Sequence, residues 1–121
     1  MTGKVSSEAA LRTAEELREQ RLRSAELAAE LAETDYELEV IRARVERGLI
    51  KRVKGEKALA PTAEDRNRIF TLALDADEDY RARRKAGAGL RLTLQKAKAE
   101  IGFLRDKLRI QLAAMESGDH G

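Results

Sequence analysis

Arg44, Arg47, Lys51 and Lys54 follow one another at intervals of three, four and three residues. On a helix this spacing lines four cations along one side, while Ile41, Val45 and Leu49 fall on another. Lysine and arginine in such a row neutralise successive phosphates by charge and reach alone, without reading bases. Arg52 and Lys57 extend the same block. A second cluster, Arg81, Arg83, Arg84 and Lys85, would come close to it if the chain folds back after the lone proline, Pro61. Tyr80 beside that cluster offers a ring for base stacking, but its heptad position favours packing. The competing expectation is a solvated basic face, balanced by acids of a neighbouring copy.

Those acids stand directly upstream. Glu26 to Glu39 holds six acids and no base, whereas Arg42 to Lys57 holds seven bases and two acids. A solvated helix usually mixes its signs, so segregated blocks point to a polyanion or an acidic partner. The net charge of +2 rules out a general affinity for polyanions and leaves local patches as the means.

Other chemistries have little to stand on. The chain has no cysteine, one histidine (His120, in the tail) and no nucleophile motif, so the expectation is a non-enzyme without metal or cofactor. Asp75, Asp77, Glu78 and Asp79 lack the glycine and glutamate of a calcium loop and fit helix capping better. Gly87-Ala88-Gly89 lacks the strand and the Lys-Ser or Lys-Thr of a phosphate loop; close helix crossing is its expected reason.

The elements that must position these residues are all helical. With 38% charged residues, 3% aromatics and no strand-like alternation, the composition is that of long helices rather than a thick globular core. A first helix is predicted over about 7–54, capped by Ser6 or Ser7 and ended by Gly55, with a possible register shift at Thr34 and Asp35. Thr62 before Ala63-Glu64-Asp65 opens a short helix bearing Ile69, Phe70 and Leu74. A break near Ala76 starts a third helix. Its residues Tyr80, Gly87, Leu94, Ile101, Leu108 and Met115 fall seven apart, interleaved with Leu90, Ala97, Leu104 and Gln111. This is a coiled-coil seam of five heptads.

The expected fold is all-α: a long helical hairpin, coiled-coil-like, with a short middle helix. It forms one domain over 7–116, between a disordered 1–6 and a frayed 117–121. A two-helix rod leaves apolar surface wet, so Tyr80, Gly87, Leu90, Leu94, Ala97, Ile101, Leu104, Leu108 and Met115 are expected to serve a homo-oligomer. No apolar run approaches a membrane span, and the lack of cysteine fits a cytoplasmic protein.

The order of these features resembles a known family. A basic end at Arg42 to Lys57 leads to a short apolar helix. The acidic run from Asp75 to Asp79 follows, then Tyr80 and a heptad helix ending Phe103-Leu-Arg-Asp-Lys-Leu-Arg-Ile. Over about residues 36–115 this is similar to the UvsY-like recombination mediators, small helical proteins of bacteriophage recombination modules. The resemblance implies rings that bind single-stranded DNA, with a recombinase and a single-strand-binding protein as partners, in bacterial or phage-infected cytoplasm. It implies that Lys51, Arg52, Lys54 and Lys57 lie in the DNA-contacting stretch. The alternative is a structural coiled-coil protein: a phage assembly factor, scaffold or helical chaperone.

Overall fold

The computed structural model describes residues 2–55 and 62–119, with side chains placed over 7–50 and 62–117. It consists of three helices: α1 (Thr2–Gly55), α2 (Ala63–Ala76) and α3 (Glu78–Asp119). The chain is thus a long helical hairpin with a short middle helix, and no strand occurs among the described residues. No described helix is long and apolar enough to cross a membrane.

The helix α1 begins at Thr2, so the expected caps at Ser6 and Ser7 lie inside it. Once a helix is nucleated, each further residue gains a backbone hydrogen bond for the dihedrals it fixes, and no proline stands before Ser7 to stop it. At the other end, α1 extends to Gly55, the end that glycine followed by proline predicts. The helix also runs unbroken through Thr34 and Asp35. Thr34 is half-buried, and its hydroxyl donates to the Glu30 carbonyl at 2.9 Å. It therefore takes an inward position in the row Leu27, Leu31, Thr34, Leu38, Ile41, Val45, and the register does not shift there.

Thr62 caps α2 as its spacing predicts. It has extended backbone (φ −117°, ψ 156°), and its Oγ1 accepts from the Asp65 N–H at 3.1 Å while donating to Asp65 Oδ2 at 2.8 Å. Leu74 is buried, and Ile69, Phe70 and Ala73 are half-buried beside it. One residue, Asp77, separates α2 from α3. Its N–H donates to the Leu74 carbonyl at 3.1 Å, closing α2, and its Oδ1 accepts from the Tyr80 N–H at 2.9 Å, opening α3.

The helices pack as two compact units. The first combines the start of α1 (to Ala29) with α3 from Arg91 onward, and buries Ala10, Thr13 and Leu17 with Leu94, Ala97 and Leu104. Thr13 is tolerated there because its hydroxyl donates to the Ala9 carbonyl at 3.0 Å, inside its own helix. Gln111 keeps its Oε1 buried without a hydrogen-bond partner among the described residues. The second unit, Glu30 to Leu90, holds the rest of α1, all of α2 and the start of α3 around Ile41, Leu74 and Gly87.

These cores are thin. Among the described residues ten large apolar side chains remain exposed, including Phe103 at 59% and Ile110 at 70%.

Candidate nucleic-acid interface

The basic candidates divide by what holds them. Arg44, on the second half of α1, donates from Nη2 to Asp77 Oδ2 at 3.0 Å. Asp77 thus receives α1 through Arg44 and α3 through Tyr80. These bonds, led by the Tyr80 N–H and followed by Arg44, hold its carboxyl below the usual carboxylate range. Arg83 of α3 pairs with Glu37 of α1. As position rises from Glu37 to Arg44 on α1, the partners fall from Arg83 on α3 to Asp77, the residue just before that helix. The two helices therefore run antiparallel in this unit, clasped by one ion pair in each direction.

The clasp explains where the second basic cluster lies. One of its residues, Arg83, meets the acidic block of its own α1 at Glu37. Arg81, Arg84 and Lys85 stay exposed, as does Arg47 on α1, and none forms an ion pair with another described residue. At ~100° per residue, Arg81 and Lys85 point away from the packed face of α3 and Arg47 away from that of α1. The two clusters therefore do not share one face, although Arg44 and Arg81 meet at Asp77: its carboxylate takes Arg44 and its carbonyl accepts from the Arg81 N–H at 3.1 Å.

Lys51, Arg52 and Lys54 lie on the last turns of α1, where the backbone alone is described, and Lys57 lies outside the described residues. Tyr80 is half-buried at the start of α3, in the packing position its heptad predicts. The rest of the heptad row faces the interior of the single chain. Gly87, Leu94, Ala97 and Leu104 are buried; Leu90, Ile101, Leu108 and Met115 are half-buried. Of the two glycines near its start, Gly87 lies on this buried face. At Gly89 a Cβ would meet no heavy atom within 4 Å, so no close crossing requires glycine there.

Among the described residues no three His, Cys, Asp or Glu side chains come together to hold a metal ion. A depression along Ser7, Glu8, Leu11, Arg12 and Glu15 is a strip on one side of α1, open to solvent.

Two features escaped the sequence. The Glu37–Arg83 pair joins two residues 46 apart in sequence, and no local signal marks it. The exposed apolar residues of α3 have a regular spacing, but the stronger heptad row on the opposite side hides it. Comparison with protein-family models, curated proteins and solved structures finds no match to this chain.

Proposed function

We propose that this chain binds single-stranded DNA through the phosphates and acts as an accessory to recombination, helping to load a recombinase or annealing protein. The observation that carries the reading is the set of exposed cations Arg47, Arg81, Arg84 and Lys85, which have no acidic partner among the described residues, while Arg44 and Arg83 are engaged. The basic continuation Lys51, Arg52, Lys54 and Lys57 adds charge beyond them. The role in recombination rests on the resemblance to UvsY-like mediators over 36–115.

If each chain engages four phosphates, the logarithm of affinity falls with the logarithm of salt at a slope of about −3. Fluorescence anisotropy of a labelled single strand over a salt series measures it. Arg47→Glu together with Arg84→Glu should weaken binding at least tenfold and flatten the slope, with helix content unchanged. Absence of binding at about 50 mM salt, or an unchanged slope in the double variant, would overturn the reading.

A second reading, a structural coiled-coil protein, is favoured by the internal Glu37–Arg83 clasp and by the apolar residues left exposed on α3. In that case adding single strands changes neither anisotropy nor assembly.

A further inference from the structure

On α3, Leu92, Ala99, Phe103 and Ile110 are spaced seven, four and seven residues apart. At ~100° per residue they fall within about 40° of one another, roughly opposite the inward row of Leu94, Ala97, Ile101 and Leu104. All four are exposed, with Leu92 at 54%, Phe103 at 59% and Ile110 at 70%. Lys96 and Asp106, also exposed, fill the remaining positions of the same heptad frame. The helix thus carries a second seam that its own chain does not cover.

We infer that a second copy of this chain covers it, packed antiparallel along α3 and centred near residue 101. In an antiparallel coiled coil, each a position faces a d position of the partner helix. Centred there, Leu92 faces Ile110, Lys96 faces Asp106 and Ala99 faces Phe103. Each pair occurs twice about the two-fold axis, as an isologous contact requires. Every layer is complementary: large apolar against large apolar, cation against anion, and the bulkiest side chain against a methyl.

A parallel pair in register would instead set Lys96 against Lys96, Asp106 against Asp106 and Phe103 against Phe103. Like charges in facing positions are unfavourable, so the charges select the antiparallel arrangement. Asp106 is able to serve. Its Oδ1 accepts from Arg109 at 2.9 Å within the helix, and Oδ2 remains for the facing lysine. The exposed side chains of Leu92, Phe103 and Ile110 give such a contact apolar area to remove from water.

The inference does not rest on nucleic-acid binding, and its test contains none. Sedimentation equilibrium should give the wild-type chain a mass of two copies or an even multiple. Lys96→Glu alone and Asp106→Lys alone each place like charges in both facing pairs, and each should raise the dissociation constant at least tenfold with helix content unchanged. Mixing the two variants in equal amounts puts opposite charges back in both pairs and should restore association.

A monomeric wild type, single variants that associate normally, or a mixture that stays apart would each overturn the inference. Should a charge variant lose helix content, cysteine pairing decides, since the chain has no cysteine of its own. Leu92→Cys chains mixed with Ile110→Cys chains should oxidise to the mixed disulfide. A disulfide between two Leu92→Cys chains would show a parallel seam and overturn it.

Discussion

Asp77 concentrates three tasks in one side chain and its backbone: it closes α2, caps α3 and receives Arg44 from α1. Its carboxyl is held below the ordinary range, so the folded chain binds that proton more weakly than the unfolded chain does. The stabilisation is therefore complete above the ordinary aspartate pKa of about 4 and is lost as pH falls through the lowered value. Melting temperatures should drop in this acidic window, and Asp77→Asn, which keeps a capping oxygen but no charge, should flatten that part of the profile. A variant curve parallel to wild type would show that Asp77 carries none of the effect. Glycine makes the opposite case. Neither Gly48 nor Gly89 has a neighbour within 4 Å of where a Cβ would stand. Gly48→Ala and Gly89→Ala should each stabilise their helix by about 0.5–1 kcal/mol, read as a higher melting temperature.

At the scale of the element, the local signals were the readable ones. The Thr62 cap, the break at Ala76–Asp77 and the heptads from Tyr80 to Met115 each sit within a few residues of sequence, and each gives its element where expected. Ser6 and Ser7 misled because a serine that is able to cap does not oblige a helix to start there. Thr34 misled because a hydroxyl that bonds its own i−4 carbonyl passes as apolar on an inward face. Of the site, the exposure of Arg47, Arg81, Arg84 and Lys85 was legible from charge and period, but their separation onto different faces was not. It depends on the crossing of α1 and α3, which is a tertiary fact. The two faces of α3 give a contrast that stability measurements can read. Leu104 is 2% exposed, so Leu104→Ala should cost about 2–3 kcal/mol of unfolding free energy. Ile110 is 70% exposed, and Ile110→Ala should change the stability of the single chain by less than about 0.5 kcal/mol while weakening association.

For the molecule as a whole, the two candidate surfaces fall in different compact units. The exposed cations Arg47, Arg81, Arg84 and Lys85 lie in the unit from Glu30 to Leu90; the uncovered seam runs from Leu92 to Ile110, in the other. DNA contact and self-association should therefore separate by mutation: charge reversal at Arg47 and Arg84 removes the first, and reversal at Lys96 the second. A further consequence follows from the single residue that joins α2 to α3. A helix with apolar stripes on opposite sides is ambiguous about which one to turn inward, since either could meet α1. The one-residue joint, with Glu37–Arg83 and Arg44–Asp77 as stops, sets the rotational phase of α3 within the unit from Glu30 to Leu90 and so decides which stripe the helix turns inward there. Two alanines inserted after Asp77 would advance that phase by about 200° and carry Arg83 away from Glu37; a lower melting temperature with helix content kept would register the loss.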